Sequence, residues 1–388
     1  MIKSTQNSVD TLGQHWTDKN VVAMMANLIE KNGTILEPSA GSGRFIREML
    51  NRDRDVEGVE IDSNVVKSDI ARLYVFDNFF DWKGGKYDTI IGNPPYVAGK
   101  LIDFETNTEL PKTANLYLHF IDKCVRSHLS DDGELIFIIP STFLSGTSRG
   151  SKLRTWMCEN GTFTHILTDV GAQWHRAVID TVVVRWVKTA PTMHSYSVQT
   201  SVTEGKRRDL RHVNGTLFLL PYKTEDNVVL GDLFDIGVGA VAGQKYTLDK
   251  QHPSATSYIK KKQIVFYDEN QKEQWPRYRK TSEQHKILCY TGPTREKEVF
   301  YTTLDLGDAV QASRHSDLFF SPKFPLEASE LRAIASEMNS FFNQFGDELK
   351  FRESGRWIPS VKTLRDMPIP TGWMNRLLQQ STKTQETP

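Results

Sequence analysis

The sequence predicts an α/β fold, a doubly wound and mostly parallel sheet, followed by a second, mixed α+β domain. Three observations carry this. Strand-like apolar runs alternate with helix-like segments through the first half of the chain, turns rich in Gly or Pro follow the carboxyl ends of strands, and the rhythm stops near residue 190. Strand, helix, strand in repetition is the pattern of a parallel sheet with helices on its faces. The boundary is set near residue 225, which gives domains over 1–225 and 226–380 and a polar tail, 381–388, predicted to be disordered.

Asn20 to Lys31 carries apolar residues at helical spacing and ends before Asn32-Gly33, a helix stop. Thr34-Ile35-Leu36 is a short strand, followed by a Gly-rich turn and a helix from Arg44 to Asn51. Val56 to Asp62 and Tyr87 to Gly92 are further strands, the latter running straight into Asn93-Pro94-Pro95. Leu116 to Leu129 predicts a helix, Asp131-Asp132-Gly133 a turn, and Glu134 to Ile139 a buried strand. Thr164 to Val170 and the β-branched run Thr181 to Val187 complete the series and are expected to form an antiparallel edge. Beyond them come short strands with charged turns such as Glu204 to Arg208, a Gly-rich stretch over 230–243, and a helix from Ala328 to Phe345.

Composition excludes more than it assigns. With 25% charged and 38% hydrophobic residues the chain is ordinary globular material. Its formal net charge of zero rules out a protein that coats nucleic acid over its whole surface, so a nucleic-acid binder would have to concentrate positive charge locally. Cys124, Cys158 and Cys289 are widely spaced, which argues against a disulfide framework or a zinc site and suits a reducing compartment. No stretch approaches the roughly 18 apolar residues that span a bilayer, and the N-terminus lacks an apolar signal core. A cytoplasmic protein without a membrane partner and without a metal is expected.

The chemistry begins at Ile35-Leu36-Glu37-Pro38-Ser39-Ala40-Gly41-Ser42-Gly43, a strand entering a Gly turn that opens a helix and lets backbone approach a ligand closely. Neither the dinucleotide fingerprint GxGxxG nor a P-loop GK[ST] is present. Glu60, at the end of the second strand and next to Ile61, is placed to accept hydrogen bonds from ribose hydroxyls. In Val75-Phe76-Asp77-Asn78-Phe79, a carboxylate and a ring could hold an adenine moiety. A plain Gly turn with two surface carboxylates is the bland alternative. Acids after both of the next strands weigh against it.

The decisive element is Asn93-Pro94-Pro95-Tyr96. Two prolines fix φ and remove two backbone donors, leaving a rigid loop of carbonyls beside the Asn93 side chain. A conjugated exocyclic amine is a poor nucleophile because its lone pair is delocalised. Two directed acceptors, Asn93 Oδ1 and the Pro94 carbonyl, favour pyramidal nitrogen and stabilise the charge that develops as it attacks a methyl sulfonium. Tyr96 is placed to stack on a planar substrate.

ILEPSAGSG, GVEID, FDNF and GNPPY, in this order and spacing, resemble the γ-class adenine-N6 DNA methyltransferases of the TaqI-like, restriction–modification type. The resemblance covers roughly residues 13 to 190. It implies the class I methyltransferase fold with a seven-stranded sheet and S-adenosylmethionine as cofactor. The catalytic loop is then Asn93, Pro94, Pro95 and Tyr96. Cofactor contacts are implied for Glu37, Pro38, Ser39, Ala40, Gly41 and Gly43 in the first loop, for Glu60 and Ile61 after the second strand, for Asp77 and Phe79 after the third, and for Asn93. Gln14-His15-Trp16-Thr17 fits the family's cofactor element ahead of the first strand, with Thr17 near the methionine end. Asn115-Leu116-Tyr117 opens a helix that would line the pocket. Asp169 to Trp174 resembles the loop that supplies a second aromatic for the target base. The family usually carries Phe or a similar ring there, so Trp174 is a variant. A buried core Trp beside an edge strand is the competing explanation.

NPPY alone does not choose the amine, since it is shared with glutamine-N5 methyltransferases acting on release factors and with some ribosomal RNA guanine-N2 methyltransferases. Protein glutamine methyltransferases carry a helical domain before the sheet and little after it, the reverse of this chain. The region after 225 resembles a TaqI-like target-recognition domain, on Leu230-Gly231-Asp232-Leu233-Phe234 with Gly237, Gly239 and Gly243, on Ser354 to Ser360, and on Met367-Pro368-Ile369-Pro370. From Lys245 to Phe300 twelve basic residues face seven acidic ones, with Tyr258, Tyr267, Trp275, Tyr278 and Tyr290 interleaved, which suits contacts to phosphates and bases. The expectation is a monomeric, site-specific enzyme that methylates N6 of a flipped-out adenine in double-stranded DNA, with any cognate restriction endonuclease a separate protein. An RNA or protein amino-group methyltransferase and a non-catalytic DNA-binding protein are the alternatives.

Overall fold

In a computed structural model of the chain, the described residues are 17–102, 104–144, 148–170, 181–190, 195–202, 205–238, 251–253, 255–260, 263–274, 285–290, 300–306, 317–345, 360–370 and 373. The chain divides into two units, Met1–Leu217 and Phe218–Pro388.

The first unit is an α/β sheet with helices α1 (Lys19–Ala26), α2 (Arg44–Leu50), α3 (Leu116–Lys123) and α4 (Ser148–Glu159). Its strands are β1 (Ile35–Glu37), β2 (Val56–Glu60), β3 (Tyr74–Phe76), β4 (Tyr87–Gly92), β5 (Leu129–Pro140), β6 (Thr162–Leu167), β7 (Thr181–Val187), β8 (Ser195–Gln199) and β9 (Arg207–Val213). The division between the units falls within β10 (Thr216–Leu220). Seven strands run in the order β3-β2-β1-β4-β5-β7-β6, the arrangement of the class I methyltransferase fold, and β8, β9 and β10 extend the sheet to ten. β1 pairs in parallel with β2 and β4, so its carboxyl end lies mid-sheet between two parallel neighbours. That is where doubly wound folds bind ligands, because the loops diverge there.

β7 is antiparallel to both β5 and β6 and lies between them, so the antiparallel strand is internal rather than at the edge the sequence suggested. Its residues explain this. All seven are buried, including Arg185 and Trp186, so the strand needs cover on both faces and neighbours on both sides. α1 and α2 close one face, packing Val21, Met25, Phe45 and Met49 over Ile35, Ile91 and Ile136. α4 covers the other, where Trp186 Nε1 donates to the Met157 carbonyl at 3.0 Å.

One helix ends earlier than its periodicity predicts, and another stays helical to within a residue of its expected end but changes its winding on the way. α1 stops at Ala26 although apolar spacing continues, because the Glu30 and Lys31 amides donate to the buried Glu134 carboxylate, each at 3.0 Å, instead of to helical carbonyls. α3 gives way at Cys124 to a π turn over Cys124–His128. β5 then starts at Leu129, with a shift of register before Glu134 where Asp132 takes a φ of 61°.

The second unit is mixed α+β. β11 (Thr224–Val229) pairs antiparallel with β18 (Pro368–Pro370), and α5 (Leu230–Leu233) follows β11. β12 (Phe234–Val238), β15 (Ile287–Tyr290), β16 (Phe300–Thr302) and β17 (Asp317–Pro322) form an antiparallel sheet in the order β12-β17-β15-β16. β13 (Ala255–Lys260) and β14 (Gln263–Asp268) form a hairpin. α6 (Ala328–Phe345) packs on β16, setting Phe342 4.9 Å from Phe300, and Asn339 bonds both backbone groups of Phe300 at 2.9 and 2.6 Å. α7 (Val361–Arg365) precedes β18.

Candidate functional site

The loop 38–43 leaves the end of β1 and turns into α2. Gly41 and Gly43 both take the left-handed backbone, with φ of 50° and 80°. They do so for different reasons. A Cβ on Gly43 would lie 2.3 Å from Ile70 Cδ1 and 2.4 Å from Tyr74 Oη, so that position is packed. A Cβ on Gly41 would meet nothing within 4 Å, so backbone there lines open space.

Two carboxylates hold this loop. Glu60, buried at the end of β2, accepts the Gly41 N–H at 2.7 Å and the Asp62 N–H at 2.9 Å. Glu37, buried at the end of β1, has an Oε2 with no hydrogen-bond partner among the described residues. Burial, then the neighbouring charge of Glu60, pushes the Glu37 carboxyl well above its ordinary range, and a bond from the Ile46 amide in the first turn of α2 offsets part of that rise. Pro38 and Ala40 are buried, and Ser39 is half-buried with its hydroxyl donating to the Asn93 carbonyl at 3.3 Å. That bond ties the β1 loop to the β4 loop.

Asn93 leaves β4 with its Nδ2 donating to Thr17 Oγ1 at 3.1 Å. Thr17 is buried ahead of α1, and its carbonyl accepts from the Arg44 guanidinium. Pro94 is buried and Pro95 half-buried. Tyr96 donates its hydroxyl to the Ile138 carbonyl of β5 at 2.9 Å and meets the Tyr117 ring edge-on, with centroids 6.0 Å apart. Burial, then Tyr117, raises the Tyr96 pKa well above its usual value, so the phenol remains a donor. The Val97 carbonyl accepts the Leu116 N–H at 2.9 Å and joins the loop to the start of α3, capped by Asn115.

After β2 and β3 the side chains diverge in exposure. Ile61 is 52% exposed, an apolar side chain offered to the space beyond the strand end. Asp77 is half-buried, and its N–H donates to the Glu60 carbonyl at 3.1 Å. Phe79 is buried in an aromatic cluster, stacked on Phe120 at 4.9 Å, with Lys123 Nζ 4.8 Å from its centroid. Lys123 also donates to the carbonyls of Phe79 and Trp82.

The structure thus brings Thr17, the loop 37–43, Glu60 and Asn93 into one hydrogen-bonded set at the carboxyl ends of β1, β2 and β4. Trp174, residues 14–16, and most of the basic and aromatic residues of 245–300 lie outside the described residues, as do the tail 381–388 and Gly239 and Gly243. Three participants went unread in the sequence. Arg44 holds Thr17, Lys123 holds the Phe79 carbonyl, and Tyr74 donates its hydroxyl to the Gly41 carbonyl at 3.2 Å. None belongs to a contiguous motif, and each acts across at least 27 residues.

Residues 24–173 match the Eco57I restriction-modification methylase family. The modification methylase CviBIII of Paramecium bursaria Chlorella virus NC1A is 41% identical over 119 residues, covering 28% of this chain and 31% of that one. The Type II methyltransferase M.HincII of Haemophilus influenzae is 28% identical over 283 residues, covering 67% of this chain and 52% of its own. A solved structure of the Type IIL restriction-modification enzyme MmeI in complex with DNA superposes on 90% of this chain and 64% of that one, at 8% identity and a TM-score of 0.49. The chain therefore spans from under a third to about half of the length of these two curated relatives.

Proposed function

We propose, from the match of residues 24–173 to the Eco57I restriction-modification methylase family, that this chain methylates N6 of an adenine flipped out of double-stranded DNA. The observation that carries the reading is the Asn93-Pro94-Pro95-Tyr96 loop, bonded on one side to Thr17 and through its Asn93 carbonyl to Ser39 of the Gly loop.

S-adenosylmethionine fits the residues present and supplies the methyl group as an electrophilic sulfonium. The open space over Gly41 admits a ligand against backbone, and the buried Glu37 Oε2 offers an unused acceptor for a cationic donor such as an ammonium group. Glu60 spends one lone pair of each oxygen on the loop amides and keeps the others for ribose hydroxyls. Ile61 would cover an apolar ring face of the cofactor, and Asp77 would accept from its exocyclic amine, while Phe79 would contribute only the part of its ring that its cluster leaves uncovered.

Asn93 Oδ1 and the Pro94 carbonyl each take one hydrogen of the target amine. They draw nitrogen toward a pyramidal geometry and stabilise the positive charge it gains. Tyr96, with its hydroxyl tied to Ile138, holds its ring still for the base to rest on, and Trp174 closes the other face. Residues 226–380 read the target sequence, residues 1–225 hold the reacting groups, and a cognate endonuclease would be a separate protein. The protein would act as a monomer in the cytoplasm. No helix among the described residues is long and apolar enough to cross a membrane.

Expression in cells lacking adenine methylation, followed by sequencing of modified bases, tests this directly. N6-methyladenine at one short motif is expected. Asn93→Ala should lower methyl transfer about a hundredfold or more while leaving cofactor affinity within a few-fold. Genomic DNA without N6-methyladenine would refute the assignment.

A further inference from the structure

The turn over residues 77–82 spends almost all of its backbone donors on itself and on the end of β2. The Asp77 N–H donates to the Glu60 carbonyl at 3.1 Å. The Asn78 N–H goes to Asp77 Oδ1 at 2.7 Å and the Phe80 N–H to Asn78 Oδ1 at 3.1 Å. The Asp81 and Trp82 amides share the Asn78 carbonyl, at 2.9 and 3.0 Å. Of these six amides only that of Phe79 has no acceptor among the described residues. Phe79 therefore has a backbone donor to offer a ligand besides the free part of its ring.

Internal bonds give the turn its shape, and α3 gives it its place. Lys123, the last residue of α3, donates from Nζ to the Phe79 carbonyl at 2.5 Å and to the Trp82 carbonyl at 2.9 Å. An ammonium group only donates and a carbonyl only accepts, so this pairing has a single sense. The same Nζ lies 4.8 Å from the Phe79 ring centroid. The cation is thus spent on two neutral oxygens and a ring of one short turn. Three residues earlier on the same face of α3, Phe120 stacks on the Phe79 ring with centroids 4.9 Å apart. The helix therefore holds both the backbone and the side chain of Phe79. Its other end is bonded to the catalytic loop, where the Leu116 N–H donates to the Val97 carbonyl at 2.9 Å.

We propose that Lys123 is a positioning residue that fixes the 77–82 turn against α3, so that Asp77 and Phe79 meet the adenine end of the cofactor already in place. Without the ammonium the turn keeps its internal bonds but is free to shift, and binding of adenine must first order it. This rests on Asp77 and Phe79 being cofactor contacts, and it adds a residue that acts through them.

The test uses the full-length protein and two ligands, S-adenosylhomocysteine and S-ribosylhomocysteine, which lacks the adenine. Calorimetry measures both affinities, by displacement for the weaker ligand. Lys123→Met keeps the aliphatic stem and removes every donor. It should weaken S-adenosylhomocysteine about tenfold and leave S-ribosylhomocysteine within about twofold. In methyl transfer, KM for S-adenosylmethionine should rise by a similar factor while kcat stays within about threefold, the pattern of lost uniform binding. Asp77→Ala, which removes a contact rather than its support, should also weaken S-adenosylhomocysteine selectively. Equal loss for both ligands in Lys123→Met, no loss for either, or a fall in kcat at unchanged KM would overturn the role of Lys123. Unaltered S-adenosylhomocysteine binding in Asp77→Ala would overturn the contact on which that role rests. Wild-type protein that binds S-adenosylhomocysteine and leaves DNA unmethylated would overturn the proposed function and not the role of Lys123.

Discussion

Replacing Glu134 by alanine should cost the first unit about 4 kcal/mol of stability. The side chain is fully buried at the start of the straight part of β5. Its Oε1 accepts three hydrogen bonds at 3.0 Å, from the Glu30 and Lys31 amides and from Thr89 Oγ1. Its Oε2 takes Arg185, with Nε at 2.8 Å and Nη2 at 2.6 Å. Arg185 is 2% exposed, and its other acidic partner, Glu30, is 66% exposed and screened by water. Alanine therefore leaves a buried guanidinium facing one solvated carboxylate and a hydroxyl, Thr164 Oγ1 at 2.8 Å. Breaking such a pair from one side typically costs about 3–5 kcal/mol, whereas replacing both partners with apolar residues is often close to neutral. Glu134→Gln keeps an acceptor for the amides and loses the charge, so about 2 kcal/mol is expected. A Glu134→Leu, Arg185→Met double variant should recover most of the loss. Equilibrium urea unfolding measures all three, with hydrogen exchange at β5 and β7 assigning the transition to this unit. Glu134→Ala within about 1 kcal/mol of wild type would refute the reasoning, because desolvation of the cation could not then be the dominant cost.

The two loop glycines should separate stability from ligand binding. Gly43→Ala meets Ile70 and Tyr74 and should destabilise by about 2 kcal/mol, from a left-handed φ plus a clash. Gly41→Ala carries strain alone, about 1 kcal/mol, yet its methyl enters the space proposed for the cofactor. Calorimetry should show cofactor affinity falling about tenfold or more in Gly41→Ala, and unchanged affinity would remove the cofactor from that loop. Glu37 predicts a pH dependence. Its carboxyl is raised above 4.5 in the folded chain, so the protonated form favours folding and the benefit is lost as pH climbs from 4.5 through the folded value. Glu37→Gln stays neutral, and its urea midpoint should gain on wild type as pH rises across that window. Parallel pH profiles would show that Glu37 is already ionised.

Much of the site was legible in the sequence because it is written in short-range signals. β4 and β7 occupy the runs Tyr87–Gly92 and Thr181–Val187 residue for residue, since continuous β-branched and aromatic stretches bounded by turns have few other options. Gly41, Gly43 and the Pro94-Pro95 pair announce their backbone constraints in their own covalent structure. α4 went unread, because its Ser, Gly, Arg and Lys residues blur any apolar stripe.

What only the tertiary structure decided are the partners. The end of α1 is set by a carboxylate more than a hundred residues away, the place of β7 by burial on both faces, and the polar contact of the Asn93 side chain by Thr17, 76 residues earlier. The physical reason is common to all three. Backbone preference is decided among neighbours in the chain, but a buried polar group takes whichever donor or acceptor the folded sheet delivers to it. That pairing comes into being only once β1, β2, β4 and β5 lie side by side.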